Sequence, residues 1–314
     1  MPDRLQLNAL NVKPKKRLLK NPLDCNNIDL HIHSTASDGT LTPVEILAMA
    51  RELKLGAIAI TDHDTIDGPR ELLSLGIPLD IKFLTGVEIS ASWPSSFSLG
   101  GSLHILGYGI KIDDPLMNQA LDTLQEARKN RNPKIIKLLN KFGCDISMDD
   151  IIKEAGPDGQ VGRPHIARVM IKKGFVASIT DAFDQYLATG KPAYVDKYRI
   201  ECHKAVEMIL NAGGIPVLAH PVLLQIESNE SLEKFISTLT EMGLKGIEVY
   251  YSDHTSKDIA YYKNIAQNNG LIMTGGSDFH GSLKPTIKMG SGKGDLSVPY
   301  TVYENLISAM RDMQ

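Results

Sequence analysis

The sequence predicts an α/β fold: a barrel of seven strands with a block of helices inserted after the fourth. Two observations carry this. Seven short apolar runs, Ile28–His33, Ala57–Thr61, Lys82–Val87, Leu103–Tyr108, Ile215–Ala219, Gly246–Tyr250 and Leu271–Gly275, alternate with helical patterns, as strands of a parallel sheet joined by crossover helices do. Residues from about 112 to 200 instead show helical periodicity and no buried strand. The 314 residues suffice for one large domain or two modest ones.

Each element has a local reason. The first helix is expected over Thr42–Leu53, with Thr42 as N-cap, Pro43 in the first turn and Glu45 three residues after the cap. Further helices are expected over Lys204–Ala212, Leu232–Glu241 and Lys257–Asn268. In the insertion the helical stretches are Pro115–Lys141, Asp149–Glu154, Arg163–Lys173 and Thr180–Leu187. The organisation is therefore an N-terminal extension over 1–27, a barrel over 28–111 and 200–314, and a helical insertion over 112–199. The basic cluster of the extension (Lys13, Lys15, Lys16, Arg17, Lys20) reads as a solvated tail.

Composition excludes several classes. At 42% hydrophobic and 23% charged residues, wholesale disorder does not fit. Lys+Arg 34 against Asp+Glu 37 gives a net charge of −3, without the basic excess of a DNA-coating protein. No apolar run reaches the roughly 20 residues of a membrane helix, and the N-terminus does not read as a signal peptide. Cys25, Cys144 and Cys202 lie far apart, which points to a reducing compartment, the cytoplasm.

The histidines fall where the strands end. The first strand closes on Asp29-Leu-His-Ile-His33, followed by Ser37-Asp38-Gly39; the second on Thr61-Asp-His-Asp64; the third on Gly86-Val-Glu88; the fifth on Ala219-His-Pro221; the seventh on Ser277-Asp-Phe-His280; and the fourth contains His104. Strand ends of a parallel barrel converge on one face, and residues two apart in a strand share a side, so His31 and His33 face inward together. Six histidines (His31, His33, His63, His104, His220, His280) with Asp38, Glu88 and Asp278 form a candidate metal site of imidazole and carboxylate donors, suited to Zn²⁺, Mn²⁺ or Fe²⁺. Nine donors exceed one tetrahedral ion and suit two or three divalent metal ions, with Glu88 bridging. Such a cluster acidifies a bound water and clamps a phosphate. Asp62 and Asp64 are candidates for orienting His63.

These strand-end motifs resemble those of the PHP (polymerase and histidinol phosphatase) superfamily, over about residues 27–111 and 200–314. The resemblance implies a distorted seven-stranded (β/α)7 TIM-like barrel, a two- or three-metal site and phosphoester hydrolysis. It also implies a partition: one metal on His31, His33, Glu88 and Asp278, a second on Glu88, His104 and His220, a third on Asp38, His63 and His280. Within the insertion, Gly162-Arg-Pro-His-Ile-Ala-Arg168, Asp184-Gln-Tyr-Leu187 and Gly190-Lys-Pro-Ala-Tyr194 resemble a bacterial branch. That branch contains 3′,5′-nucleotide bisphosphate phosphatases, AMP-phosphatase-like enzymes and 5′-to-3′ exoribonucleases of the RNase AM type, and its insertion lies over the metals.

Arg163 and His165 open a helical pattern after a glycine, a place that favours an anion, and are candidate substrate-binding residues. Lys191, Lys197, Tyr194 and Tyr198 are candidates for phosphate contact or base stacking. His254, after the sixth strand, is a candidate for binding the phosphate or protonating the leaving group, whereas His203, at a helix start, reads as structural. Gly290-Ser-Gly-Lys-Gly294 lacks the spacing of a P-loop. The expected activity is metal-dependent removal of the 3′-phosphate from adenosine 3′,5′-bisphosphate to give AMP, with trimming of short RNA from its 5′ end as a related reaction. The alternatives are a histidinol-phosphatase-type monoesterase, a non-catalytic metal-binding module, and an amidase-type barrel hydrolase. The last would use a metal-bridging lysine where His104 stands.

Overall fold

The computed structural model describes residues 27–97, 101–156 and 161–313. The tail reading of residues 1–26 and the position of Cys25 lie outside them. The strands are β1 (Asp29–Ile32), β2 (Ala57–Ile60), β3 (Lys82–Ser92), β4 (Leu103–Tyr108), β5 (Ile200–Glu201), β6 (Ile215–Leu218), β7 (Gly246–Tyr251) and β8 (Ile272–Gly276). Their order is β1-β2-β3-β4-β6-β7-β8, with the two-residue β5 attached to the end of β3. The sheet curls until its edges meet. His33 N–H donates to the Phe279 carbonyl and Asp278 N–H to the His31 carbonyl, each at 2.9 Å, and Ile32 bridges Phe279 in parallel. Seven strands thus make a nearly closed barrel, as the sequence predicted.

The uniformly parallel sheet is corrected. β4 runs antiparallel to both β3 and β6. Residues 93–102 join β3 to β4, a link too short for the helical crossover that a parallel neighbour requires, so the chain returns as a hairpin. The reversal has a consequence for the site. His104 lies at the start of β4, opposite Ser90, and the start of a reversed strand shares an end with the finishes of its parallel neighbours.

β1, β2 and β6 are buried at every position, because helices cover their outer face and side chains fill the inner one. Ile28, Leu30, Ile58 and Ile60 are fully enclosed, each contributing about 1.5–3 kcal/mol by leaving water. The covering helices are α1 (Pro43–Glu52), α2 (Asp67–Leu75), α7 (Cys202–Asn211), α8 (Asn229–Glu241), α9 (Ser256–Asn268) and α10 (Tyr300–Asp312). The Thr42–Glu45 capping box forms as read.

The insertion holds α3 (Pro115–Lys141), α4 (Met148–Ala155), α5 (Arg163–Lys172) and α6 (Ile179–Ala182), the last running into a π-turn over Phe183–Leu187. It has an apolar core of its own, built on Ile135, Leu139, Ile151, Ile166, Met170 and Leu187. α3 serves both bodies: Met117, Leu121 and Leu124 pack into the barrel's core, and Ile135 and Leu139 into that of the insertion. Between these halves the buried positions are Arg128, Arg131 and Asn132.

Candidate functional site

The strand ends bring the nine predicted donors together. Glu88, from β3, lies at the centre. Its Oε1 is 2.7 Å from His104 Nδ1 and 2.8 Å from His220 Nε2, and its Oε2 is 3.0 Å from His63 Nδ1, 3.2 Å from His33 Nε2 and 3.5 Å from His31 Nε2. Asp278 Oδ1 lies 3.2 Å from His33 Nε2 and 3.6 Å from His31 Nε2. Asp38 faces His280 Nε2 at 3.4 Å, His33 Nδ1 at 3.7 Å and His63 Nε2 at 3.9 Å. Four groupings have donor spacing suited to a cation: His33 with Asp38, His63 and His280; His31 with His33 and Asp278; His31 with Glu88 and His220; and His63 with Glu88 and His104. His104 Nδ1 and His220 Nε2 also lie 3.3 Å apart beside Glu88.

The cluster is polar, buried and incomplete by itself. His31 Nε2, both ring nitrogens of His33, His63 Nδ1, Glu88 Oε2 and His220 Nδ1 are buried without a hydrogen bond. Buried polar atoms are normally satisfied, and imidazole nitrogens with carboxylate oxygens are the donor set of Zn²⁺, Mn²⁺ and Fe²⁺, so the residues fit divalent ions. Charge in the cluster points the same way. Burial pushes His33 down, but Asp278 and Glu88 prevail and lift it to about 9. Burial holds its neighbour His63 down at about 4, against the pull of Glu88 and Asp38. Burial also favours neutral Glu88, yet His63, His104 and His31 keep it well below the usual carboxylate range.

A buried frame aims the donors. Glu248 of β7 accepts from His31 Nδ1 at 2.9 Å and from the His220 N–H at 2.7 Å, so the proton on Nδ1 turns His31 Nε2 toward the cluster. Tyr251 Oη and Lys284 Nζ donate to Asp278 Oδ2 at 3.0 and 2.6 Å, leaving Oδ1 for the histidines. Asp278 stands at φ 58. Asp29 holds its loop by accepting from the Ser277 N–H at 2.9 Å, Ser277 Oγ at 2.5 Å and the Gly290 N–H at 2.7 Å. Gly276 permits the approach: a Cβ there would lie 2.3 Å from the backbone nitrogen of His31.

Asp62 and Asp64 have other work than orienting His63. Asp62 accepts from the Ser34 N–H, Ser34 Oγ and Ser37 Oγ at 2.6–2.7 Å, fixing the loop that carries Asp38. Asp64 accepts from the Ser90 N–H at 2.7 Å and pairs with Arg128 at 2.8 Å and Lys197 at 3.0 Å. Their hydrogen bonds and ion pairs go to the β1 loop, to Ser90 of β3 and to the insertion.

A cavity of about 170 Å³ opens beside the cluster, lined by Asp38, His63 and His104 and by the cationic Arg128, Arg131, Arg163, Lys197 and Arg199. Of the substrate-binding candidates, Arg163 lines it, donating to the Leu187 carbonyl at 2.8 Å and lying over the rings of Phe183 and Tyr194. His165 is not among the lining residues. Its Nδ1 accepts the Gly162 N–H at 3.1 Å, so the ring caps α5. Nor does His254 line it. Its Nδ1 donates to the Val249 carbonyl at 2.8 Å, its ring packs beside Tyr251 and Tyr262, and its Nε2 is buried and unpartnered. Arg168 pairs with Glu154, Lys191 and Tyr198 are exposed, and Tyr194 donates to Asp196. His203 is half exposed at the start of α7, beside Glu201.

Sequence reasoning missed Arg128, Arg131, Arg199, Glu248, Tyr251 and Lys284. A signal existed for two of them. Met117, Leu121, Leu124, Arg128, Arg131 and Ile135 form one buried stripe of α3 with alternating spacings of four and three, and two arginines in such a stripe are anomalous.

Comparison with known proteins agrees with this geometry. The PHP domain profile matches residues 29–310. The 3′,5′-nucleoside bisphosphate phosphatase of Chromobacterium violaceum is 34% identical over 254 residues, covering 81% of this chain and 87% of that protein. The 5′-3′ exoribonuclease Rnm of Escherichia coli is 34% identical over 255 residues, covering 80% and 84%. A solved structure from Bifidobacterium adolescentis, described as a presumed metal-dependent phosphoesterase, superposes with a TM-score of 0.78 at 26% identity, covering 90% of this chain and 96% of that one.

Proposed function

Since the chain belongs to the PHP domain family of metal-dependent phosphoesterases, we propose that it hydrolyses nucleotide phosphates, removing the 3′-phosphate of adenosine 3′,5′-bisphosphate to leave AMP. One observation carries this reading: a cavity lined by five cationic side chains adjoins the histidine–carboxylate cluster. A bisphosphate needs both halves, one for the reacting phosphate and one for the other.

The residues that would hold the ions are His31, His33, Asp38, His63, Glu88, His104, His220, Asp278 and His280. Bound there, two or three Mn²⁺, Zn²⁺ or Fe²⁺ ions would acidify a water and neutralise phosphoryl charge. The chain's other groups prepare the site. Glu248 fixes the His31 tautomer, and Tyr251 and Lys284 present one oxygen of Asp278. The guanidinium and ammonium groups of the cavity hold the non-reacting phosphate by charge-assisted hydrogen bonds.

The cationic wall argues against histidinol phosphate, whose amine calls for carboxylates. A short RNA with a 5′-phosphate fits the same arrangement, since its first scissile phosphorus also lies on the 3′ side of the anchored nucleotide. The exoribonuclease named among the relatives makes it the second reading.

The test is phosphate or nucleotide release by Mn²⁺-loaded protein from adenosine 3′,5′-bisphosphate, AMP, histidinol phosphate and a short 5′-phosphorylated RNA. The bisphosphate is expected to turn over fastest. Preference for histidinol phosphate would overturn the role given to the insertion and keep the barrel.

A further inference from the structure

α3 changes charge along its length. From Pro115 to Glu126 it carries Asp122 and Glu126 and neither lysine nor arginine. From Ala127 to Lys141 it carries Arg128, Lys129, Arg131, Lys134, Lys137 and Lys141 and no carboxylate. Arg128 and Arg131 are buried and line the cavity. The four lysines are exposed, and among the described residues none of them pairs with a carboxylate. Lys172 and Lys173 of the same insertion differ, for they pair with Glu154 and Asp150. Lys134, Lys137 and Lys141 follow one another at spacings of three and four, so they share one face, and like charges so placed repel and weaken a helix. Lys141 has a local reason to be there, since the last turn favours a cation. Lys134 and Lys137 have none. Beside them an open groove of about 500 Å³ runs between α3 and α4, lined by Pro133, Ile136, Lys137, Asn140, Lys141 and Met148. Pro133, Ile136 and Met148 give it an apolar surface, and the lysines give it charge.

The cavity beside the cluster measures about 170 Å³, below the roughly 300 Å³ at which a site begins to enclose a drug-sized molecule. A polynucleotide therefore has to leave it. The helix that lines the cavity also lines the groove, and from Arg131 to Lys134 the axis advances only about 4.5 Å. We propose that the exposed face of α3 from Lys134 to Lys141, with Met148 of α4, is a docking groove for the body of an RNA substrate, the part of the chain that the cavity does not enclose. Phosphates lie against the lysines and base faces against the apolar surface, the pairing by which single strands are held without regard to sequence. An acidic peptide would match the charge and leave the apolar surface unused. This assignment rests on the RNA reading above. It separates the two substrate classes, because a mononucleotide is too short to reach the groove. The net charge of −3 conceals the groove, since its cations are offset by carboxylates elsewhere in the chain.

The experiment compares full-length, metal-loaded wild type with the triple variant Lys134→Gln, Lys137→Gln, Lys141→Gln. A control variant, Lys234→Gln, Lys245→Gln, Lys257→Gln, removes the same charge from exposed positions of the barrel. Glutamine keeps helix propensity close to that of lysine. The substrates are a 5′-phosphorylated RNA of about ten nucleotides and adenosine 3′,5′-bisphosphate. In the groove variant KM for the RNA should rise about tenfold, and the slope of its logarithm against the logarithm of salt concentration should fall by about 2, near 0.7 for each lost phosphate contact. KM for the bisphosphate should stay within about twofold, and the control should match wild type on both substrates. An unchanged RNA KM and salt slope, an equal loss in the control, or an equal loss on the bisphosphate would each overturn the groove. Failure of the RNA reading is distinct, for wild type would then leave the RNA uncut. Fluorescence anisotropy of the same RNA, labelled at its 3′ end, still decides the groove in that case: binding by wild type that the groove variant loses supports it, and absence of binding overturns it. A poly-glutamate peptide that competes as well as unlabelled RNA would also overturn it, in favour of an acidic protein partner.

Discussion

The cluster at the strand ends and the cavity under the insertion solve opposite problems with the same device. In the first, carboxylate and imidazole groups converge: Glu88 Oε2, His31 Nε2 and the ring nitrogens of His33 are buried without a hydrogen bond, an arrangement that suits a cation. In the second, buried donors converge: Arg128 Nε and Arg131 Nε and Nη1 lack hydrogen-bond partners, an arrangement that suits an anion. Function here is read from what the fold leaves unsatisfied.

The comparison breaks most sharply at its acceptor side. Replacing His33 or Asp278 with Ala should abolish turnover while the circular dichroism spectrum and the melting transition survive, and metal content by mass spectrometry should fall with it. Full activity in either variant would remove that residue from the ligand set. A smaller effect is expected from Glu248→Gln. The amide can still meet His31, but it no longer stabilises the Nδ1–H tautomer with a charge. Groups placed behind metal ligands in this way are worth about 10- to 100-fold in metal affinity or activity. Titrating metal into apo protein checks it, and an unchanged affinity would reduce Glu248 to a packing residue.

The two regions were unequally legible in the sequence. Cluster ligands come from short stretches in which a strand stops, so Asp29–His33 and Ser277–His280 announce themselves by spacing alone. The barrel followed from the same runs. The direction of β4 did not, because an apolar run carries no sign of its orientation and only the short 93–102 link betrays the hairpin. Asp62 and Asp64 flank His63 in sequence, yet one serves the β1 loop and the other the insertion. Glu248 was hidden inside an apolar strand, where a carboxylate with no visible partner was the clue. The cavity's cations come from α3, the start of α5 and the stretch before β5, and no sequence pattern joins residues that meet only through tertiary packing.

The smallest effect concerns the charge that both regions share through Asp64. Lys197 is largely enclosed, 17% exposed, beside Asp64, Arg128, Arg131 and His104. Burial and the two arginines lower it, Asp64 raises it, and the balance leaves it at about 8 rather than its usual 10.5. The folded protein therefore gives up this proton before the unfolded chain does. Between about pH 8 and 10.5 folding releases a proton, so this group's contribution to stability rises with pH through that window. Phosphate recognition moves the other way, because the neutral amine has lost its charge. From pH 7 to pH 9 the protonated fraction of a group at about 8 falls roughly tenfold, and kcat/KM for the bisphosphate should fall by up to that factor. Arg stays charged across this range, so Lys197→Arg should flatten the alkaline limb. An alkaline limb identical in the two proteins would place its origin outside the cavity, among the groups of the cluster.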